Sequence, residues 1–479
     1  MRVLFVTSEA YPLVKTGGLG DICYALPNAL RQLGVDVRLL LPGYPRVLEQ
    51  LSLIEVHENI ILSPLQEPIR LSAGIMPDGI TPVYVIKYPR LYERDGEIYQ
   101  DSTGKDWPDN YLRFGMLAKV AALFGSHSLL FKPQVIHCND WQTGLAPAFL
   151  TVNSYTKTVM SIHNMAYQGI FGPEVVEELD LPPETFNMVG LEYYGQVSFL
   201  KAGLHYANWI TTVSPTYAKE IQTPTYGCGL DGLLKQRQQQ LTGILNGIDT
   251  EDWNPKTDSY LRHHYNINDL QLKARNTKIL RTKLQLVQSK QMPLIGMITR
   301  LIEQKGIDLL VPIIEAIIKS GAQFAILGSG DKDLETSLQQ LAAQNPKHIS
   351  VNLGYNEELA HQIEAGANIF LMPSQFEPCG LNQMYSMRYG TIPIVRRTGG
   401  LADTVIDANP ANIKNKTATG FVFEEEDSEE LLACVQRALK LFHNKKIWHQ
   451  LQVTGMNRDF SWDKSARQYM SLYDQLLVS

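Results

Sequence analysis

Lys15-Thr16-Gly17-Gly18-Leu19-Gly20-Asp21 stands between two kinds of hydrophobic pattern. Before it, Val3-Leu4-Phe5-Val6 is a continuous short apolar run, the mark of a strand buried on both faces. After it, Ile22, Leu26 and Leu30 recur at helical spacing. A glycine-rich loop therefore joins a first strand to a first helix. Such a loop brings backbone N–H groups close to an anion, the helix start adds partial positive charge, and Lys15 adds a full one. The plainer reading is a tight turn with a surface lysine. The stretch is not a dinucleotide fingerprint, because Cys23 stands where the third glycine belongs. It is not a Walker loop, because no Gly-Lys-Ser/Thr follows.

The same strand–helix alternation runs along the chain. Apolar runs at 37–41, 83–86, 135–138, 159–162, 210–213 and 241–245 form a first series with 3–6. Runs at 294–298, 324–327, 349–353, 369–372, 392–395 and 421–423 form a second. Strands alternating with helical segments predict βαβ units and mostly parallel sheets, hence an α/β chain of two doubly wound, Rossmann-like domains. Turn residues cluster through Asn246-Gly247-Ile248-Asp249 and Trp253-Asn254-Pro255. The expected division is 1–245, a hinge at 246–256, a second domain at 257–460, and a terminal helix at 461–479.

Composition narrows the function. A chain of 479 residues exceeds one ordinary core. Its net charge of −6 argues against a general nucleic-acid or anionic-membrane binder, so an anionic substrate must be met by local cations. Five scattered cysteines fit a reducing compartment, and no pair has zinc-ligand spacing. The N-terminus enters a strand directly, without an apolar leader, and no apolar run approaches the ~18 residues of a membrane span. These features predict a cytoplasmic protein by default, with a plastid protein freed of its transit peptide as the alternative.

In open α/β sheets, ligands bind beyond the carboxyl ends of the strands. The unusual polar residues fall there. Arg300 and Lys305 follow a buried strand and precede a helix. A cation 4 Å from a phosphate charge gains roughly 4 kcal/mol at an effective dielectric near 20, so two suit a departing diphosphate without a metal. Glu377 in Phe376-Glu377-Pro378-Cys379-Gly380-Leu381-Asn382 cannot itself favour phosphate. It suits sugar hydroxyls, or positive charge on a sugar carbon in the transition state. Gly399-Gly400 marks a further strand-to-helix junction. His137 and His163 sit near strand ends, where a histidine is more often a hydrogen-bonded core group than a catalyst. Asp331-Lys332-Asp333 matches a metal-binding triplet of sugar transferases only by chance, for no other oxygen ligands cluster near it in sequence.

Taken together, these stretches resemble the glycogen and starch synthases of bacteria and plastids from end to end. The matching motifs are residues 15–21, Asp-Asn-x-x-Arg-Phe at 109–114, His-x-Asn-Asp-Trp at 137–141 and His-Asn-x-Ala-Tyr-Gln-Gly at 163–169. They continue with Asn-Gly-Ile-Asp at 246–249, Arg-Leu-x-x-Gln-Lys-Gly at 300–306 and Phe-Glu-Pro-Cys-Gly-Leu at 376–381. The resemblance implies a GT-B fold with its site in the interdomain cleft and a last helix that crosses back to the first domain. It implies transfer of glucosyl from ADP-glucose to the non-reducing 4-OH of an α-1,4-glucan, retaining and metal-independent, with no cofactor.

By the same resemblance, Lys15, Gly18, Arg300 and Lys305 meet the diphosphate, with backbone N–H groups of Leu381 and Asn382. Tyr355 stacks on adenine. His163, Asn246, Glu377, Cys379 and Gly380 surround the glucose, and Asp21, Tyr99 and Asp140 lie towards the acceptor. Glu377, Lys305, Arg300 and His163 are the expected catalytic groups. Asn382 stands where the family usually has threonine, and Gln142 replaces a frequent histidine. Tyr385 occupies the position of a second glutamate found in related transferases. Front-face displacement is the expected mechanism, with the leaving diphosphate taking the proton of the incoming hydroxyl. Alternatives are a transferase of the same fold using UDP-glucose or a small acceptor, and a non-catalytic glucan-binding relative.

Overall fold

The computed structural model describes residues 1–126, 128–150 and 156–478. The chain folds into two compact units: Met1–Asn246 with Trp462–Ser479, and Gly247–Ser461.

The strands of the first unit, in chain order, are β1 (Arg2–Val6), β2 (Asp36–Pro42), β3 (Ile54–Ile60), β4 (Ile69–Ile75), β5 (Pro82–Lys87), β6 (Val135–Asn139), β7 (Lys157–Ile162), β8 (Ile170–Phe171), β9 (Glu192–Tyr193), β10 (Gln196–Ser198), β11 (Trp209–Thr212) and β12 (Leu241–Gly243). Nine of them make one sheet in the order β12-β11-β7-β6-β1-β2-β5-β4-β3. β1 is central because Val3, Leu4, Phe5 and Val6 are fully buried. It pairs in parallel with β2, Val3 opposite Val37, and with β6, Val3 opposite Val135. β3 and β4 extend the sheet antiparallel beyond β5. β8, β10 and β9 form a small separate sheet.

The helix Trp462–Val478 completes this unit. It packs on the helix Gly18–Gln32 and buries Trp462, Ala466, Tyr469, Leu472, Tyr473 and Leu476. Full burial of one Leu-sized side chain stabilises by about 1.5–3 kcal/mol, so this apolar stripe is a firm attachment. Ser465 Oγ also donates to the Leu245 carbonyl.

The second unit contains β13 (Leu294–Ile298), β14 (Gln323–Gly328), β15 (Ile349–Leu353), β16 (Ile369–Met372), β17 (Ile392–Arg396) and β18 (Phe421–Phe423). All pairings are parallel, in the order β15-β14-β13-β16-β17-β18. Counted within the unit this is 3-2-1-4-5-6, the doubly wound dinucleotide-fold order. Chain direction across the sheet reverses between β13 and β16, the switch point beyond whose strand ends sheets of this kind bind their ligands. Ile295, Phe324, Ile326, Leu371 and Ile394 fill the core beneath the switch point. Both sheets thus have the α/β, Rossmann-like character expected from the sequence. No helix among the described residues is long and apolar enough to cross a membrane.

Candidate active site

In the first unit the chemistry gathers where β1, β6 and β7 end. Glu9, just beyond β1, is 2% exposed. It accepts the Thr16 backbone N–H at 2.6 Å, the Thr16 hydroxyl at 3.1 Å and the Tyr99 hydroxyl at 2.8 Å. Tyr99 also shares a 2.8 Å hydrogen bond with Ser8. Burial raises the Glu9 carboxyl above its usual range, while these donors pull it back. A buried carboxylate therefore holds the glycine-rich loop from behind. Gly20 is required at its position, because a Cβ there would lie 2.5 Å from the Lys15 Cβ. Gly18 opens the helix, with Gly17 as its N-cap. Lys15 Nζ donates to both carboxylate oxygens of Asp21, at 2.9 and 3.1 Å, and each side chain is 33% exposed.

Asp140 follows β6 with a positive φ of 53°. Its Oδ1 accepts the His163 backbone N–H at 2.7 Å, fastening the loop after β7 to the loop after β6. Burial pushes this carboxyl up to about 7, against the pull of the His163 and Asn164 N–H groups. The Asn139 amide nitrogen donates to the Val6 carbonyl at 3.0 Å, which leaves its Oδ1 to accept from His163 Nε2 at 2.9 Å. This network assigns the His163 proton to Nε2 and a lone pair to Nδ1. Nδ1 is buried and has no hydrogen-bond partner among the described residues. Burial drives His163 down to about 3, so the ring is neutral at physiological pH. His163 thus offers an acceptor suited to a substrate hydroxyl. His137 behaves as a core group, bonded at 2.6 Å to both the Tyr473 hydroxyl and Ser161 Oγ. Asn246, 3% exposed, leaves its Oδ1 without a hydrogen-bond partner among the described residues.

In the second unit the loops leaving β13 and β16 are joined. The Gln375 N–H donates to the Gln304 carbonyl at 2.9 Å. Gly306 has φ +69°, and a Cβ on it would sit 2.1 Å from the Pro373 carbonyl oxygen. Only glycine lets the two loops approach so closely. Lys305 Nζ donates to Glu377 Oε2 at 2.6 Å, and Ser374 Oγ donates to the same oxygen at 3.0 Å. The Lys305 and Glu377 side chains are 17% and 10% exposed. Behind Glu377 the helix Gly399–Thr404 comes so near that a Cβ on Gly399 would lie 2.0 Å from the Glu377 carbonyl oxygen. One on Gly400 would lie 2.0 Å from that of Cys379.

Gly380 takes φ +69°, and Cys379 beside it is buried and outside any disulfide. Leu381 caps the helix Asn382–Arg388. The Asn382 side chain donates to the Ile298 carbonyl at 2.7 Å, tying that helix to the end of β13. Arg300, beyond the same strand, is exposed. Tyr355, beyond β15, is 77% exposed, a ring face open to stacking. Asp331 is a helix cap that accepts the Asp333 and Leu334 N–H groups, which accounts for the chance triplet. Tyr385 lies stacked on Trp253, ring centroids 4.0 Å apart.

The structure therefore brings together Lys305 with Glu377, Lys15 with Asp21, and His163 with Asp140. It adds Glu9, Ser8 and Ser374, which sequence reasoning missed. For Glu9 the available signal was its place immediately after the central strand. A cation and a carboxylate held side by side beyond the ends of β13 and β16 offer groups of the kind that a diphosphate and a sugar hydroxyl can bind.

The family described as starch synthase catalytic domain matches residues 2–236, and glycosyl transferases group 1 matches residues 281–449. The chain is 48% identical over 484 aligned residues to a glycogen synthase of Nitrosomonas eutropha, covering 100% of this chain and 96% of that one. It is 46% identical to a glycogen synthase of Thioalkalivibrio sulfidiphilus, covering 100% of each. Among solved structures it resembles the catalytic domain of starch synthase IV from Arabidopsis thaliana bound to ADP and acarbose, with TM-score 0.90, 32% identity, and 100% and 99% of the two chains covered.

Proposed function

The chain belongs to the glycogen and starch synthase family and is a glycosyltransferase, and from that premise we propose how its residues carry the reaction. The donor is ADP-glucose and the acceptor is the non-reducing 4-OH of an α-1,4-glucan. The observation that carries the residue assignment is the largely buried Lys305–Glu377 pair at 2.6 Å. Lys305, with Arg300, meets the diphosphate and stabilises charge as it departs. Glu377 holds sugar hydroxyls and balances positive charge developing on the anomeric carbon. Tyr355 supplies the face for adenine, and backbone N–H groups at Leu381 and Asn382 support the phosphates beside Gly380 and Cys379.

In the first unit, Lys15 and the loop at Gly18 add further positive character for the diphosphate. His163 Nδ1 and Asn246 Oδ1 accept from glucose hydroxyls, which their unpaired buried acceptor atoms favour. Asp21, Tyr99 and Asp140 shape the acceptor side. The incoming 4-OH attacks from the face the diphosphate leaves, passing its proton to the leaving phosphate oxygen; the configuration is retained. No metal takes part in this step, and the reaction belongs in the cytoplasm.

The test is incorporation of label from ADP-glucose into glycogen, with UDP-glucose as competitor and with and without chelator. Incorporation that survives chelation and is not displaced by equimolar UDP-glucose is the expected result. Binding of ADP-glucose without product would instead mark a non-catalytic binder. Preferential use of UDP-glucose would overturn the donor assignment.

A further inference from the structure

Away from these groups, in the second unit, Asp252, Glu357 and His361 place one carboxylate oxygen each and one ring nitrogen within 4.8 Å of one another. We propose that they bind a divalent transition ion of the Zn2+ type, with His361 Nε2, Glu357 and Asp252 as ligands and water in the fourth position. Three observations carry this. First, Glu357 and His361 stand four residues apart on the helix Glu357–Gly366, so both side chains lie on one face. Second, the His361 side chain is 1% exposed and its Nε2 has no hydrogen-bond partner among the described residues; it points towards Glu357 Oε1 at 3.5 Å. Bonds of 2.0–2.2 Å at tetrahedral angles put neighbouring ligand atoms about 3.4 Å apart, so this edge is already formed.

Third, the opposite ring nitrogen is committed. Nδ1 bonds to Asp258 Oδ2 at 2.8 Å, and the Tyr389 hydroxyl donates to that same oxygen at 2.6 Å. A carboxylate on Nδ1 that presents Nε2 to an ion is the outer-shell arrangement that orients histidine ligands and raises their basicity. The ring is also clamped in plane, stacked on Trp253 with centroids 3.8 Å apart and 14° between planes. Asp252 is exposed and able to swing the last distance. One nitrogen and two carboxylates favour a borderline ion over Mg2+ or Ca2+, which prefer all-oxygen sites. The ion replaces the proton on Nε2, which passes to solvent. Bound there, it fastens residue 252 to the helix that carries His361 and takes no part in glucosyl transfer.

The competing occupant of Nε2 is a proton paired with Glu357. Calorimetric titration of Zn2+ into the chelator-stripped full-length chain, repeated with Asp252→Asn and with Glu357→Gln, separates the two. Cobalt absorption gives an independent signature of tetrahedral ligation. One equivalent bound by the unaltered protein, weakened tenfold or more in each variant, with a cobalt spectrum lost in both, is the expected result. No uptake by the unaltered protein, or a variant that binds Zn2+ as tightly as it does, overturns the site. The Asp252 position is exposed, so that variant is expected to fold and to keep its glucosyl-transfer rate.

Discussion

Lys15 and Lys305 each hold a carboxylate, yet their settings differ. The Lys15–Asp21 pair lies six positions apart, linking the loop to the first turn of the helix it enters, and both partners are one-third open to water. The Lys305–Glu377 pair joins loops 72 residues apart across the point where the sheet reverses, at 2.6 Å and largely dry. Exposed ion pairs contribute about 0–1 kcal/mol, whereas a pair withdrawn from water is fixed by its surroundings and is costly to break from one side. The first unit achieves rigidity by other means: Glu9 buries its charge behind the loop and leaves Lys15 adjustable in front. Rigidity therefore resides in the backbone around the first unit's loop and in the side-chain pair of the second unit's loops.

The sharpest way to break this contrast is Lys305→Ala. Loss of one preorganised charge-stabilising donor costs ~10²–10³ in kcat, about 2.7–4 kcal/mol, and Arg300→Ala is expected to fall in the same range. Near-normal turnover at saturating ADP-glucose in either variant would remove that residue from the mechanism. Glu9→Ala comes next. It removes the acceptor of the Thr16 N–H and one of the two partners of the Tyr99 hydroxyl, which keeps Ser8; hydrogen bonds to a charged group contribute about 1.5–3 kcal/mol each, so the unfolding midpoint in urea is expected to drop. An unchanged midpoint would show that the loop holds itself.

The Asp140 carboxyl titrates at about 7 in the folded chain against an ordinary value of 3.8. The folded state therefore binds the extra proton between those values. Its stabilising contribution is complete below about pH 4 and is lost as pH rises through about 7. The slope is at most about 1.4 kcal/mol per pH unit. Asp140→Asn is expected to flatten stability against pH in that window while its amide oxygen still accepts from His163. A pH profile identical to that of the unaltered protein would contradict the assignment. The smallest effect belongs to Asp21→Asn. With a water-exposed partner removed, the donor KM is expected to move by less than about fivefold. A change of the size expected on removing Lys305 would erase the distinction between the two lysines.

The parallel strands were legible because they are buried on both faces and spell uninterrupted apolar runs, as in Leu294–Ile298. β3 escaped notice because Glu55, His57 and Glu58 interrupt its apolar residues at an exposed sheet edge. β8, β9 and β10 are two or three residues long and carry no period to detect. In the site, charges and glycines after strands could be read one by one. Their pairings could not, since Lys305 and Glu377 meet only through strand order. Glu9 belongs to no motif. Its importance comes from what burial does to a carboxylate ringed by Thr16 and Tyr99.

The helix Trp462–Val478 has a consequence for synthesis on the ribosome. His137, inside the central sheet of the first unit, finds its hydroxyl partner on Tyr473, 336 residues further along. Until that partner emerges, the ring's Nδ1 and the apolar surface later covered by Leu472 and Leu476 stay open. Residues 247–461 meanwhile leave the tunnel as an unbroken segment, able to fold as a unit before the older half is closed. A chain cut short after residue 461 and released is thus expected to hold a finished second unit beside a first one still sensitive to protease.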